Sequence, residues 1–331
     1  MVKAKVFLFE KHFEGFPKPE NVKLVEEELG QIKNGEFLAE ALYISVDPFI
    51  RARAPFLPLG QTMIGVQVAR ILESKNPKFP VGGIVVGFFG WRTHTISNGS
   101  HPQKDKVPQL IKEDLGDISL SALLGVLGRP GHSAYFCLLD ICKPKAGDTI
   151  VVSGAAGAVG SLVGQIAKIK GCKVIGIAGS DEKGKWLVEE LGLDHFINYK
   201  TESIDAAIKK YAPNGVDSYF DNIGGEISST VIWNLKKFGR VGLCGSISQC
   251  NETNKVTSFH RPIISNELFL QGFQCATWLD RWSEAVKQNL EWIKEGKLKY
   301  RETVTEGFEN TYQAFIDMLS GKNFGKAVVK V

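Results

Sequence analysis

The stretch Ile150-Val151-Val152-Ser153-Gly154-Ala155-Ala156-Gly157-Ala158-Val159-Gly160 is where residue types and spacing first point to chemistry. A β-branched run favours a buried strand. Small residues follow, and then Val159, Leu162, Val163, Ile166 and Ile169 take the i, i+3, i+4 spacing of one helix face. Strand, glycine-rich turn and helix in that order make a site for the pyrophosphate of a dinucleotide. The helix start offers amide groups and the positive end of a dipole to the phosphates. Gly157 lets the backbone come close to an anion, and Gly160 and Gly164 let the helix pack tightly on the sheet. Ala155 stands where the usual G-x-G-x-x-G pattern has its first glycine, so the motif alone does not separate a phosphate site from a purely structural turn.

The elements that must position this turn form a regular rhythm. Strand patterns at 149–153, 173–178, 195–199, 216–221 and 240–245 alternate with helical patterns near 159–170, 182–191, 203–211 and 226–236. Strands separated by helices of this length predict βαβ units, hence a parallel sheet with helices on both faces. Such a sheet binds its ligand at the carboxyl ends of the strands, which is where the glycine turn falls. Position therefore favours a cofactor.

The first third reads differently. Strand-like runs at 1–8, 37–46, 62–72 and 81–87, punctuated by glycine and by Asp47-Pro48, predict a compact, barrel-like β domain. The acidic run Glu26-Glu27-Glu28 reads as solvated surface, and 117–139 turns helical at a domain junction. A helix at 281–295 completes the parallel-sheet domain. The tail carries a helix with Tyr312, Phe315, Ile316 and Leu319 on one face and a last strand at 327–331. That strand cannot join the parallel sheet without a crossover, so it is expected to return to the N-terminal β domain.

The type of nicotinamide cofactor follows from the second strand's end. An NAD site carries Asp or Glu there for the ribose 2′-hydroxyl. This strand ends Ile177-Ala178-Gly179-Ser180, leaving room for a 2′-phosphate, and Lys183 can supply positive charge. Alternatively Ser180 is only a helix cap and Lys183 a surface lysine, and Asp181 serves as an NAD-type acid if its loop curls inward. The reading favours NADPH.

Composition narrows the class. A net charge of +4 over 331 residues, evenly spread, argues for no nucleic-acid or membrane partner, and no apolar run is long enough to span a bilayer. The N-terminus lacks a signal-peptide pattern. Six cysteines without any C-x-x-C, and none before Cys137, argue against a disulfide framework or structural zinc and for a reducing, cytoplasmic setting. No metal is expected, and the six histidines read as surface or core residues.

Many ordered segments then resemble one family. They are Tyr43-Ile44-Ser45-Val46-Asp47-Pro48-Phe49-Ile50-Arg51, Gln67-Val68-Ala69-Arg70 with Glu73-Ser74-Lys75, and Ala155 to Gly160. Gly179 to Lys183, Phe220-Asp221-Asn222-Ile223-Gly224-Gly225, Glu306 to Asn310 and Asn323-Phe324-Gly325-Lys326 continue the match. Together they resemble the zinc-independent medium-chain dehydrogenase/reductases. The resemblance implies an α/β fold: a doubly wound Rossmann sheet plus a GroES-like β-barrel catalytic domain made by both chain ends. Its expected limits are 1–125 for the catalytic domain, 126–296 for the NADPH-binding domain and 297–331 for the returning segment. By position, Gly157, Ala158, Val159 and Gly160 would meet the pyrophosphate, and Lys183 and Tyr199 the 2′-phosphate end. Asn222, the loop Cys244, Gly245, Ser246, Ile247, Ser248, Gln249 and Cys250, then Phe273, Gln274, Cys275 and Asn323 would line the remainder. The implied activity is NADPH-dependent reduction of the carbon–carbon double bond of α,β-unsaturated ketones and aldehydes, 2-alkenals or 15-oxoprostaglandins among them. Hydride goes to the β-carbon, enolate charge on the carbonyl oxygen is stabilised by a donor or a ribose hydroxyl, and the α-carbon takes a proton. A homodimer with a small enone or enal substrate is expected. No residue is assigned as catalytic; Tyr43 and Tyr135 are conceivable proton donors. Cys250 and Ser265 stand where eicosanoid-acting members carry tyrosines, and Phe56 where they carry arginine, which removes groups that would face a lipid carboxylate. Quinone reduction, or a non-catalytic cofactor-binding role, are the alternatives.

Overall fold

The computed structural model describes residues 2–249 and 259–331. The chain divides into two compact units, Met1–Leu124 with Glu302–Val331, and Gly125–Arg301.

The first unit opens with strands β1 (Val2–Phe9), β2 (Val22–Leu29) and β3 (Phe37–Ser45), then the short helix α1 (Pro48–Arg53). Pro48 stands in that helix's first turn, where its missing amide costs nothing. Strands β4 (Gln61–Thr62), β5 (Gln67–Ser74), β6 (Ile84–Gly87), β7 (His94–Ser97) and β8 (Gln109–Leu110) follow. The single strand expected at 62–72 is broken in two. β4 pairs with β1, while β5 joins β3 in another sheet. The cause is Trp91, whose ring is fully buried: a Cβ on Gly65 would lie 2.6 Å from it, so the chain bends past the indole there. The acidic run lies within β2, antiparallel to β1, and Glu27 accepts from Arg92 at 2.9 Å. The helical junction is a 3-10 turn (Leu120–Leu124) followed, in the second unit, by helix α2 (Arg129–Phe136).

The second unit alternates β9 (Thr149–Ser153), α3 (Gly160–Ile169), β10 (Lys173–Ala178), α4 (Asp181–Lys185), β11 (His195–Asn198) and α5 (Ile204–Tyr211). It continues with β12 (Val216–Asp221), α6 (Gly225–Trp233), β13 (Leu235–Leu243), α7 (His260–Ser265), β14 (Phe269–Gly272) and α8 (Trp282–Lys294). Six parallel strands lie in the order β11-β10-β9-β12-β13-β14, so the chain winds outward both ways from β9. This is the doubly wound order, with its switch point between β9 and β12. Val151, Ile175, Ile177, Ile197, Tyr219 and Val241 share its core, the apolar saturation that a sheet covered on both faces requires.

Two boundaries differ from expectation. The helix of 226–236 stops at Trp233, and β13 begins at Leu235 rather than 240, because Leu235 pairs with Val216 before the register shifts to Ser218 and Arg240. Phe238, at φ 64°, takes up that irregularity. Strand β14 was not anticipated: it is four residues long, largely exposed and without alternation.

The tail returns to the first unit as β15 (Glu302–Glu306), α9 (Thr311–Leu319) and β16 (Lys326–Lys330). β16 lies between β15, parallel, and β3, antiparallel, so the C-terminus is ordered by a strand near the N-terminus. Phe315 of α9 is fully buried, its ring 5.7 Å from that of Trp91. Phe315→Ala is expected to cost about 3–5 kcal/mol through the cavity it leaves, read as a lowered denaturation midpoint of the unit formed by the two chain ends.

Candidate functional site

In the second unit, Ser153 ends β9 fully buried, and Gly154 turns the chain at φ 60°. Helix α3 then begins so close to the strand that a Cβ on Gly160 would lie 2.3 Å from the Gly154 carbonyl oxygen and 2.8 Å from the Ala155 Cα. Only glycine fits there. Ala155, in the place of the usual first glycine, is fully buried, its methyl 3.0 Å from where Gly176 would carry a Cβ. The missing glycine has in effect moved to the neighbouring strand, β10. No side chain caps α3, since the N-cap is Val159. The nearest side chain to Gly164 is Leu193, before β11, so that glycine admits a loop residue rather than the sheet.

At the end of β10, Gly179 lacks a side chain where Tyr199 and Lys200 cross: a Cβ would meet the Tyr199 hydroxyl at 3.0 Å and Lys200 Cε at 3.2 Å. Ser180 caps α4, its Oγ accepting from the Lys183 amide at 3.3 Å, as the structural reading expected. Lys183 is half-buried, and its pKa is lowered by burial and then by the neighbouring Lys200 cation. Two cations and a phenol thus share one strand end. Lys200 was missed in the sequence; its only signal was adjacency to Tyr199. Asp181 Oδ1 accepts from Asn198 Nδ2 at 2.7 Å, at the end of β11.

Beyond the switch point, Asn222 follows β12. Its Nδ2 donates one N–H to the Ser153 carbonyl at 2.8 Å, which orients the amide and leaves Oδ1 as an acceptor beside the second N–H. The amides of Cys244 and Gly245 donate to the Asp221 carbonyl at 2.8 and 3.1 Å, and the Ser248 amide donates to the Ile223 carbonyl at 3.1 Å. These bonds lace the two turns together beside a cleft of about 790 Å³ that Gly245, Ser246, Gln249, Phe273 and Gln274 help to line. Ile247 and Ser248 complete the turn of 3-10 helix (Ile247–Gln249) beside it. Cys244 lines the cleft, its thiol pushed up to about 12 by burial and then by Cys275, Asp221 and Cys142. Cys275 Sγ donates to the Arg129 carbonyl at 3.7 Å.

The predicted residues from Gly157 to Cys275 therefore stand at the carboxyl ends of consecutive strands of one sheet. Cys250 lies outside the described residues. Asn323 belongs to the other unit, where its Nδ2 donates to the Gly325 carbonyl at 2.8 Å. Of the conceivable proton donors, Tyr135 donates to Glu284 at 3.1 Å and is pushed up to about 12 by burial and that carboxylate. Tyr43 is half-buried in β3. Among the described residues, no group of three or more His, Cys, Asp or Glu side chains is placed to hold a metal ion, and no helix is long and apolar enough to cross a membrane.

Sheet order, glycine turn and cationic strand end define a dinucleotide-binding α/β protein. Comparison with known proteins narrows this. Residues 5–104 match the N-terminal domain of oxidoreductase family, and residues 158–295 the zinc-binding dehydrogenase family. Prostaglandin reductase 1 of Bos taurus is 50% identical, with 100% of both chains covered. The 2-alkenal reductase (NADP(+)-dependent) of Nicotiana tabacum is 36% identical over 100% of this chain and 98% of its own. The crystal structure of CurA in complex with NADPH from Vibrio vulnificus superposes with a TM-score of 0.92 at 36% identity, covering 99% of each chain. The chain belongs to the zinc-independent medium-chain dehydrogenase/reductase family.

Gly160→Ala is expected to lower stability by about 1–3 kcal/mol, since the added methyl meets backbone that cannot rotate away. Chemical denaturation measures it, and Gly192→Ala, whose Cβ meets nothing within 4 Å though its φ is 75°, isolates the cost of backbone strain alone.

Proposed function

We propose that this protein is an NADPH-dependent reductase of the carbon–carbon double bond of α,β-unsaturated aldehydes and ketones. The observation that carries the cofactor choice is the convergence of Lys183, Lys200 and Tyr199 at the strand end where an NAD site would place an acid. The names of the relatives, a prostaglandin reductase and an NADP(+)-dependent 2-alkenal reductase, support the reaction class. The residues fit the cofactor: the absent Cβ atoms of Gly160 and Gly179 are what allow the phosphate turn and the phenol–lysine crossing.

In this reading Gly157, Ala158, Val159 and Gly160 bind the pyrophosphate through backbone amides, and Lys183, Tyr199 and Lys200 hold the 2′-phosphate. Asn222, the turn 244–249 and residues 273–275 flank the nicotinamide half, Asn222 Oδ1 accepting from a hydroxyl. The roles of Cys250 and Asn323 rest on the family resemblance. When bound, the reduced cofactor supplies the hydride. The chain contributes position, and desolvation together with Cys275 and Asp221 raises the pKa of the Cys244 thiol and so disfavours its thiolate.

Phe56, 86% exposed at the end of the turn Ala54–Phe56, offers no charge to a substrate carboxylate, and Ser265 spends its hydroxyl on the Arg261 carbonyl at 2.9 Å. Both support neutral enals over carboxylated prostaglandins. The outer strand β14, with Phe269 51% exposed among the described residues, supports a homodimer paired along that edge, and the free state of all five described cysteines fits a cytoplasmic setting.

Steady-state kinetics test this reading. The protein should use NADPH over NADH, and Lys183→Ala and Lys200→Ala should each lower kcat/KM for NADPH by about 10- to 100-fold, the worth of a charge-assisted hydrogen bond, while leaving NADH unchanged. Equal use of both cofactors by the unaltered protein would overturn the cofactor choice. A 2-alkenal should turn over faster than 15-oxoprostaglandin; the reverse order refutes the substrate preference. At pH 8 Cys244 should resist iodoacetamide, because its raised pKa leaves almost no thiolate there; rapid labelling would contradict it.

A further inference from the structure

At the floor of the cleft, which Asp221 and Ser228 help to line, lies a polar cluster to which the reading above gives no cofactor contact. Ser153, Tyr219, Asp221 and Ser228 are all buried, none more than 4% exposed. A carboxylate so deep in a sheet is costly unless donors surround it, and here they do. Asp221 Oδ1 accepts from the Ile223 amide at 2.9 Å, the Gly224 amide at 3.0 Å and the Tyr219 hydroxyl at 2.8 Å. Ser153 Oγ stands 3.1 Å from the same oxygen, and Ser228 donates to Oδ2. An apolar side chain would fill this position at lower electrostatic cost, so the carboxylate's purpose lies in what its donors fix.

Those donors are the backbone of the turn after β12. The Ile223 and Gly224 amides bind Asp221, and the Asn222 amide between Asp221 and Ile223 binds Ser153 Oγ at 3.1 Å. Ser153 is oriented in turn by the Tyr219 hydroxyl at 2.9 Å, and its carbonyl holds Asn222 Nδ2. Three successive amides and the Asn222 side chain are thus set by one buried carboxylate and the hydroxyls bonded to it. The Asp221 carbonyl meanwhile holds the Cys244 and Gly245 amides, so this residue ties down both turns at the cleft.

We infer that Asp221 is a positioning residue: it acts through Asn222, fixing the turn so that Asn222 Oδ1 and the facing Gly245–Gln249 rim meet the nicotinamide half of the cofactor in one geometry. This rests on the NADPH reading above, and the test separates the two. Asp221→Asn keeps the shape but removes the charge, so the Ile223 and Gly224 amides lose a charge-assisted acceptor even where the amide oxygen takes the place of Oδ1 and the new amide nitrogen donates to Ser228 Oγ. In the protein without cofactor, hydrogen exchange at the Ile223 and Gly224 amides should accelerate at least tenfold, on the order of one lost charge-assisted hydrogen bond. With NADPH, calorimetry should show Kd weakened by about 10-fold or more for Asp221→Asn and for Asn222→Ala alike. The double variant should be no weaker than the worse single one, since the two act as a unit. Combined with Lys183→Ala, Asp221→Asn should multiply instead.

Tyr219→Phe removes one donor without adding another and provides a milder variant should Asp221→Asn fail to fold; it should give the same pattern of coupling to Asn222 at smaller size. The inference is overturned if the Asp221 and Tyr219 variants merely lower the melting temperature with Kd and exchange at 223–224 unchanged, or if their effects multiply with that of Asn222→Ala. Failure of the unaltered protein to bind NADPH would instead overturn the cofactor reading.

Discussion

Helix α3 starts almost in contact with the strand that leads into it, and the second unit depends on that closeness. With no Cβ at Gly160, the helix start sits against the Gly154 carbonyl, and the end of β9 opens directly into the helix without a side-chain cap. The approach puts the positive end of the helix at the carboxyl edge of the sheet, at the strand from which the chain winds both ways. The alanine at 155 is compatible because Gly176 on the adjacent strand yields the space its methyl takes. Glycine is needed at the point of contact, and which chain supplies it is negotiable between neighbours.

Around that edge the unit manages charge by pairing each buried or crowded group with a purpose. Lys183 and Lys200 are held near one another despite mutual repulsion, which lowers the pKa of Lys183 beyond what burial does. Such a pair is disfavoured until an anion joins it. Asp181, the acid that would have opposed an anion there, is tied to Asn198. Across the switch point the arrangement inverts: a carboxylate is buried, and amides and hydroxyls satisfy it, so that the turn it organises presents neutral polar groups to the cleft. One end gathers two cations and a phenol, and the other presents neutral polar groups.

The family resemblance and the order of elements were legible because they are local. A β-branched run, a glycine turn and a helical face lie within twenty residues of each other, and the strand–helix alternation of 149–245 repeats the pattern. Boundaries were lost where a distant partner decided them. Trp91 broke the run 62–72, Val216 drew Leu235 into a strand that began as helix, and β14 exists because β13 offers an edge to pair with.

The site divides the same way. The sequence by itself determined the strand, glycine turn and helix and the neutral end of the second strand, since each depends on residues a few positions apart. Tertiary structure alone decided that Lys200 joins Lys183, that Asp181 pairs with Asn198, and that Ser153, Tyr219, Asp221 and Ser228 meet in one buried cluster. The cluster draws on strands β9 and β12 and on helix α6, with Ser153 and Ser228 lying 75 positions apart in the chain. A parallel sheet brings strand ends together only after the helices between them have packed, and no local pattern records which side chains then face each other.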